Sequence, residues 1–276
     1  MIAWKMDHSV LPPHNSPPCH TDDNPRPIEY PVLVIPAFNE ETTIRTVVEN
    51  ALLVIAQVIV VDDGSTDLTV YSLKGLPVTL LRQPQNSGKA ASLWVGFQHA
   101  LRQGATAILT LDGDGQHNPS DIPRLLTAAL KSPEAIIIGA RKRPWRIETW
   151  HRTLANRIAD FWISWAAGYP IADSQSGFRV YPASLLQKVN LEVGKSHSFV
   201  FESEILIAGA DLGHQSIPVP IESEPRPLPR PSYFRPILDI VRITKMVGEK
   251  LLSERLAPRK LISGGFMVLT RRYSRE

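Results

Sequence analysis

The stretch TAILTLDGDGQHNPSD, residues 106–121, places three carboxylates around a glycine-rich turn directly after a short apolar run. The apolar run is typical of a buried strand, and Asp112, Asp114 and Asp121 follow it closely. Carboxylates this close repel one another unless a positive charge lies among them. Three kinds of site have such a turn: a calcium loop, a phosphatase centre, and a divalent metal that holds a nucleoside diphosphate.

The spacing argues against the first two kinds of site. A calcium loop counted from Asp112 needs glycine at its sixth position and glutamate at its twelfth, where this chain has His117 and Pro123. A phosphatase of the haloacid dehalogenase type usually has Thr or Val in place of Gln116, and its motif lies near the start of its domain. Here three predicted strands come first. A carboxylate pair at i and i+2 after a strand instead suits one Mg²⁺ or Mn²⁺, completed by substrate phosphates.

Apolar strands alternate with helical patterns on both sides of this turn. Strands are predicted within YPVLVIPAFNE, QVIVVDDGSTD, PVTLLRQ, TAILTLDGDG and AIIIGAR, and helices within EETTIRTVVENALLV, GKAASLWVGFQHALRQG and PSDIPRLLTAALKS. This alternation predicts an α/β fold with a mostly parallel central sheet, helices on both faces and a Rossmann-like nucleotide-binding half. The carboxyl edge of such a sheet, where ligands bind, would collect the clusters PAFNE, DDGSTD, DGDGQ and GARKR.

The sequence also contains an incomplete phosphate-binding motif. The run NSGKAAS, residues 86–92, contains a Gly-Lys pair, but a Walker motif requires glycine at position 83 and Ser or Thr at position 90. The chain has Gln83 and Ala90 there. Lys89 is therefore predicted at the start of a helix, near a phosphate of the substrate.

Composition limits the domain organisation and the partners. The 276 residues carry 30 basic and 27 acidic side chains, and this mild balance argues against a nucleic-acid-binding protein. A single cysteine excludes an internal disulfide. We expect a disordered proline-rich tail over residues 1–29, one catalytic domain over 30–223, and a proline-rich linker with an amphipathic basic helix over 224–276. With neither a signal peptide nor a membrane span in the sequence, we expect a cytoplasmic protein, peripheral at the inner face of the membrane if that helix binds lipid.

Several motifs in order resemble the family 2 glycosyltransferases of GT-A fold, in particular dolichyl-phosphate mannosyltransferases and polyprenyl-phosphate glycosyltransferases. The resemblance runs from about Tyr30 to Ile221 and rests on VIPAFNEE, VIVVDDGSTD, NSGKAASLWVGF, TLDGDGQHNPSDIP, IGARKR, RTLANRIADF, DSQSGFRVYP and FVFESEILI. It implies an inverting transfer of a sugar from a UDP- or GDP-linked donor to a lipid-linked acceptor such as a polyprenyl phosphate, or to another hydroxyl or glycan acceptor. Such an enzyme would serve the cell envelope.

The same resemblance implies a nucleoside pocket at the first two clusters. Pro36, Phe38 and Glu40 would line that pocket, and Asp62 or Asp63 would read the edge of the base.

The resemblance also implies the metal and diphosphate ligands. Asp112 and Asp114 would hold Mg²⁺ or Mn²⁺ with Gln116 beside it, and Arg141 would contact the diphosphate or the donor sugar. A guanidinium suits this place because its planar fork can bond two phosphate oxygens.

On the acceptor side, the resemblance implies Asp173 near the acceptor as a general base, Arg179 near phosphate oxygens, and Glu202 facing the site. Asp173 has a second interpretation as a turn residue, and Glu202 as a carboxylate near a helix start. The dolichyl-phosphate enzymes commonly have a basic segment with Ser-Lys after the last core strand. This chain instead has ESEPRPLPRPSYFRP, which contains three arginines and no lysine.

Other functions stay open at this point. A nucleotidyltransferase also uses acidic metal ligands at a sheet edge, and a catalytically silent module could bind a nucleotide sugar without turnover. Trp145, Trp150, Trp162 and Trp165 could line an apolar groove or pack a helix. The segment FRPILDIVRITKMVGEKLLSERL could pack on its own domain or lie on a membrane surface.

Overall fold

The computed structural model describes residues 28–142, 150–189, 198–222 and 258–267, together with Thr244, Lys245, Val247, Gly248 and Leu251. Nearly all of the predicted N-terminal tail lies outside these residues. So do Trp145, the side chain of Trp150 and the proline-rich segment after residue 222.

A seven-stranded sheet forms the centre of the fold. Its strands are β1 (Pro31–Ala37), β2 (Val58–Asp62), β3 (Thr79–Arg82), β4 (Ala107–Thr110), β5 (Ile136–Arg141), β6 (Arg179–Pro182) and β7 (Ser216–Ile221). They lie in the order β3-β2-β1-β4-β6-β5-β7. All neighbours are parallel except β6, which runs antiparallel between β4 and β5. The predicted mostly parallel sheet is confirmed, and β6 and β7 are the two strands that the apolar pattern did not reveal.

Helices cover both faces of this sheet, as predicted. They are α1 (Ile44–Leu52), α2 (Thr69–Ser72), α3 (Lys89–Arg102), α4 (Ile122–Lys131), α5 (Trp150–Ala167), α6 (Ala183–Lys188), α7 (Ser198–Asp211) and the short α8 (Pro258–Lys260), which continues as a π-helical turn over Leu261–Phe266. A 3₁₀ turn over Pro119–Asp121 precedes α4. Gly104 follows α3 with a positive φ of 83°, in agreement with its predicted place at the end of that helix.

Alternate residues of β1 divide the core into two layers. Val32 and Val34 face a layer built with α3, α5 and α7, whereas Leu33 and Ile35 face a layer built with α1 and α4. This division follows from the two-residue period of a strand that is buried on both faces.

The tryptophans of α5 belong to this packing. Trp162 and Trp165 stack with ring centroids 5.4 Å apart and pack against the layer that contains α3 and α7. Of the two interpretations of the tryptophan cluster, the structure supports helix packing for this pair.

The C-terminal segment folds back onto α5. Ser263 donates a hydrogen bond from Oγ to the carbonyl oxygen of Gly168 at 2.8 Å, and a Cβ on Gly264 would overlap the carbonyl of Ser164. Val247 and Leu251 are buried in the core. At these two positions the apolar face of the predicted C-terminal helix therefore packs on its own domain. Within the described residues we find no helix that combines the length and apolarity needed to cross a bilayer.

The reversed strand β6 brings the segment 173–178 to the carboxyl ends of β4 and β5. Two hydroxyl groups hold it there: Thr110 Oγ1 donates to the carbonyl oxygen of Gly177, and Ser176 Oγ donates to that of Gly139, each at 2.7 Å. The DSQSGFR motif thus lies at the same edge as the acidic turn.

Candidate active site

The first two polar clusters meet at this edge through direct hydrogen bonds. The backbone N–H of Asn39 donates to Ser65 Oγ at 2.9 Å, and that of Glu40 donates to Thr69 Oγ1 at 2.7 Å. Asn39 has a positive φ of 54°, which turns the chain sharply after β1. Pro36, Phe38 and Glu40 are half-buried in this arrangement. The structure therefore brings together the segments predicted to form the nucleoside pocket.

Asp62 and Asp63 are both built into these loops. Asp62 Oδ1 accepts a hydrogen bond from the backbone N–H of Ser65 at 3.1 Å, and Oδ2 lies 3.2 Å from Arg82 Nε. Oδ2 is not a well-aligned acceptor for Arg82, so this second contact is mainly one of charge. A nucleoside base that binds Asp62 Oδ2 would therefore have to approach it beside the exposed Arg82.

Asp63 holds the loop that leads into α3. Its Oδ1 accepts from Gln83 Nε2 at 3.0 Å and from the backbone N–H of Ser87 at 2.8 Å, and its Oδ2 accepts from that of Gly88 at 2.8 Å. Burial raises the pKa of Asp63 in spite of these donors. Contact with a base would have to use the remaining lone pairs of this carboxylate.

The acidic turn contains a preformed ion pair. Lys89, the first residue of α3, places Nζ 2.7 Å from Asp112 Oδ1 and 3.2 Å from Glu202 Oε1. Its contact with Glu202 is a close charge pair without good hydrogen-bond alignment. Asp114 is buried and accepts a hydrogen bond at Oδ1 from the backbone N–H of Gln116 at 3.1 Å. Lys89 and Glu202 thus both face the predicted metal ligands.

The pKa values of this cluster favour its charged form. Burial opposes ionisation of Asp112, but the positive charge of Lys89 outweighs it and lowers the pKa of Asp112. Burial likewise opposes the charge of Lys89, and the carboxylates of Asp112 and Glu202 raise the pKa of Lys89 above its ordinary value. Lys89 and Asp112 therefore form a charged pair near neutral pH.

Gly177 makes room for this pair. A Cβ at Gly177 would lie 2.7 and 2.9 Å from the two carboxylate oxygens of Asp112 and 2.9 Å from Lys89 Nζ. A side chain at position 177 would therefore displace the carboxylate of Asp112 and the ammonium of Lys89. Gly177 lies within the DSQSGFR motif, but it was not predicted as a site residue.

Arg141 and Asp173 form a second ion pair at the end of β5. Asp173 Oδ2 accepts from the backbone N–H and from Nε of Arg141, both at 2.9 Å, and Oδ1 accepts from a terminal guanidinium nitrogen at 2.8 Å. Burial works against the guanidinium charge, but Asp173 more than compensates and raises the pKa of Arg141. Asp173 is 6% exposed and has a positive φ of 48°.

This geometry bears on the predicted role of Asp173 as a general base. A general base needs an oxygen within reach of the acceptor proton, and both oxygens of Asp173 accept hydrogen bonds from Arg141. We therefore propose that Asp173 has a positioning role and orients the guanidinium.

Arg179 also differs from its prediction as a phosphate ligand. Its side chain is 0% exposed, and its guanidinium donates to the carbonyl oxygens of Ser176, Glu202 and Ser174 at 2.8, 2.8 and 2.6 Å. A donor set that is buried and bound to carbonyls does not reach a phosphate. Arg179 instead ties the segment 173–178 to α7.

Two further residues support the site without having been predicted. Asp160 on α5 accepts from the backbone N–H of Ser174 at 2.8 Å and from its Oγ at 2.6 Å, which fixes the start of the same segment. His117 is 4% exposed, with its ring centroid 5.6 Å from that of Phe178. Burial lowers the pKa of His117 and favours the neutral imidazole. His117 is buried because the turn folds back over Phe178.

The acidic turn fits a divalent metal of the kind that substrate phosphates complete. Asp112 and Asp114 supply two carboxylates, and the ammonium of Lys89 already lies where Asp112 attracts a cation. Among the described residues, no group of three or more His, Cys, Asp or Glu side chains is arranged to hold a metal. Mg²⁺ commonly takes one or two carboxylates together with phosphate oxygens, so this donor set suits it.

The sheet and the site together define the class: an α/β protein whose polar clusters meet at the carboxyl edge of its strands, where such sheets bind their ligands. Residues 32–189 match the family model for glycosyl transferase family 2, and the chain belongs to that family.

Relatives with named activities support this membership. The chain is 28% identical to polyprenol monophosphomannose synthase of Mycolicibacterium smegmatis, over 74% of this chain and 80% of the relative. It is 31% identical to UDP-N-acetylglucosamine–dolichyl-phosphate N-acetylglucosaminyltransferase of Methanococcus voltae, over 63% of this chain and 78% of the relative.

Solved structures support the fold. Glucosyl-3-phosphoglycerate synthase from Mycobacterium tuberculosis, in complex with Mg²⁺ and uridine diphosphate, superposes with a TM-score of 0.60 at 20% identity, over 81% of this chain and 78% of that one. The protein is thus a family 2 glycosyltransferase with the GT-A fold, as its motifs indicated.

Proposed function

We propose that this enzyme transfers a sugar from a UDP- or GDP-linked donor to a polyprenyl phosphate, with inversion at the sugar carbon and with Mg²⁺ or Mn²⁺. The proposal of a phosphate acceptor rests on the bidentate pair between Asp173 and Arg141. A hydroxyl acceptor must lose a proton, whereas a phosphate acceptor is already anionic near neutral pH. A site whose predicted base is bound to an arginine therefore suits a phosphate acceptor. The names of the two bacterial and archaeal relatives point to the same class.

The donor side of the reaction creates negative charge on the leaving nucleoside diphosphate. Asp112 and Asp114 would hold the metal, with Gln116 beside it, and the metal would stabilise that charge as a Lewis acid. Arg141 engages Asp173 through Nε and one terminal nitrogen, which leaves the other terminal nitrogen for a phosphate oxygen. Because Asp173 holds the guanidinium in advance, little reorganisation is needed when the diphosphate departs. Pro36, Phe38, Glu40 and one of Asp62 or Asp63 would bind the nucleoside.

We further propose peripheral contact with an anionic membrane through the C-terminal segment, at the cytoplasmic face. Ile262 is 68% exposed and Met267 47% exposed, and the exposed Arg259 lies on the same short segment packed against α5. Apolar side chains beside a cation suit the headgroup region of anionic lipids. A lipid-linked acceptor would then be near the site.

The proposed reaction can be tested by supplying labelled UDP- and GDP-sugars with a short-chain polyprenyl phosphate and Mn²⁺. We expect label in the organic phase with the phosphate and none with the matching polyprenol, which offers only a hydroxyl. Equal transfer to the polyprenol would contradict the acceptor class. If neither hydrolysis nor transfer occurs with any donor, the result would favour a catalytically silent module that binds a nucleotide sugar. Pyrophosphate release from a nucleoside triphosphate and a sugar phosphate would favour a nucleotidyltransferase.

A further inference from the structure

The ammonium of Lys89 occupies the place of a cation in the acidic turn. It lies 2.7 Å from Asp112 Oδ1, with Glu202 Oε1 at 3.2 Å on its other side. Glu202 is 3% exposed, and its own carbonyl oxygen is held by Arg179 at 2.8 Å. Lys89 therefore has two carboxylate partners, one on the metal turn and one fixed in the protein interior.

A divalent cation and an ammonium compete for the same carboxylate. Both charges are positive, and at a separation of a few ångströms in a partly buried site their repulsion is large. Metal binding to Asp112 consequently requires Lys89 to withdraw. Glu202 offers it a second partner, so that withdrawal does not leave the ammonium buried without a counter-charge.

We propose that Lys89 is a built-in counter-cation that leaves Asp112 for Glu202 when the metal binds, so that the metal enters together with the nucleoside diphosphate. This inference rests on the proposed function, since it takes the acidic turn as the metal site of a nucleotide-sugar transferase.

The donor set explains why the nucleotide is needed. Asp114 already accepts a hydrogen bond from its own turn, and within the described part of the chain no group of three His, Cys, Asp or Glu side chains is arranged to hold a metal. A metal ion without nucleotide would meet Asp112, whose charge Lys89 already compensates, and Asp114, which already accepts a hydrogen bond. A diphosphate adds oxygen ligands and further negative charge, which together overcome the competition from Lys89.

The test is a Mn²⁺ titration followed by electron paramagnetic resonance, which measures unbound Mn²⁺ directly and needs no turnover. The informative protein is the double variant Lys89→Met, Glu202→Gln, which removes both charges and keeps similar side-chain sizes. Arg45→Met, Glu49→Gln is the matched control, because this exposed pair on α1 has a separation of 2.8 Å and the same net charge. Each protein is titrated alone, with UDP and with GDP.

We expect wild type and the control pair to bind Mn²⁺ weakly alone and much more tightly with one of the nucleotides. The Lys89, Glu202 double variant should bind Mn²⁺ alone about tenfold or more tightly than wild type, since the ammonium that contacts Asp112 directly has gone, and the carboxylate removed with it lay on the far side of that ammonium. Its gain from the nucleotide should be correspondingly smaller. Lys89→Arg, which keeps the charge, should behave like wild type.

Equal Mn²⁺ affinity of wild type and the double variant without nucleotide would overturn the inference, and so would tight binding of Mn²⁺ alone to wild type. If the double variant is unfolded by circular dichroism, the comparison of Lys89→Met with Lys89→Arg gives the same readout. A Lys89 effect on Mn²⁺ without any effect of UDP or GDP would refute the nucleotide part and the proposed function, while leaving the competition between Lys89 and the metal in place.

Discussion

The pair between Arg141 and Asp173 makes a quantitative prediction that separates a positioning residue from a general base. Asp173→Asn removes the negative charge opposite the guanidinium and turns an amide N–H₂ toward donors of Arg141. At least one of the three hydrogen bonds to the carboxylate is lost. The guanidinium then keeps its charge in a largely buried place without its closest counter-charge.

The size of the effect follows from that burial. Breaking one side of a buried ion pair typically costs about 3–5 kcal/mol, and we take about 3 kcal/mol because Arg141 retains some exposure. At about 2–4 °C per kcal/mol for a chain of this size, the melting temperature should fall by roughly 6–12 °C. Asp121→Asn is the control: its partner Arg124 is exposed, at 2.6 Å, and a pair of this kind contributes at most about 1 kcal/mol.

The assay is thermal unfolding at neutral pH, combined with steady-state transfer to polyprenyl phosphate. A positioning role predicts the fall in melting temperature and a raised KM for the donor, since Arg141 is no longer held. A general-base role predicts the same fall in melting temperature, because the ion pair is lost in either case, but a turnover lowered by about 10²–10⁴ with the KM for the donor unchanged. Such a loss of turnover with a wild-type KM would refute our assignment of Asp173.

The remaining predictions concern the acidic turn proposed to hold the metal, the packing of Gly177 against it, and the proposed contact with a membrane. Asp112→Asn should lower turnover by orders of magnitude, and wild-type activity of this variant in EDTA would exclude the metal site. The pKa of Asp112 lies below its ordinary value of 3.8, so its ion pair stabilises the fold at pH values above 3.8. The difference in free energy of unfolding between wild type and this variant should therefore disappear in denaturation curves as the pH falls below 3.8. Gly177→Ala should abolish the rise in melting temperature that UDP or GDP produces with Mn²⁺, whereas Gly248→Ala, where a Cβ meets no atom within 4 Å, should keep it. Ile262→Asp should reduce sedimentation with anionic liposomes, whereas Leu130→Asp, at an exposed site on α4, should not. Membrane contact would be excluded if the wild-type protein stays in the supernatant at low salt.

The sheet and the location of the site could be predicted because both depend on local patterns. Apolar runs ended by polar clusters predict buried parallel strands, and parallel strands bring their carboxyl ends to one edge. The antiparallel β6 was not predicted, because four residues that start with an arginine carry no strand pattern.

The partners of individual charges could not be predicted. A motif places Asp173 and Arg179 at the site, but only the three-dimensional packing decides that one binds Arg141 and the other binds three carbonyl groups. The burial of His117 could not be predicted for the same reason, since a polar neighbourhood in sequence does not reveal the Phe178 ring beneath it. Lys89 was predicted near a phosphate, and its pairing with Asp112 depends on residues more than twenty positions away.

The reversed strand β6 has a consequence for how the protein folds. It lies between β4 and β5, and so joins the half of the sheet formed by β3, β2, β1 and β4 to the half formed by β5 and β7. The bond from Thr110 to Gly177 spans 67 residues, so this closure is a high-contact-order event and is expected to be slow. Until it happens, β4 presents an open edge of the kind that recruits other chains. A nascent or proteolysed chain that stops before β6 should therefore aggregate more readily than it binds nucleotide.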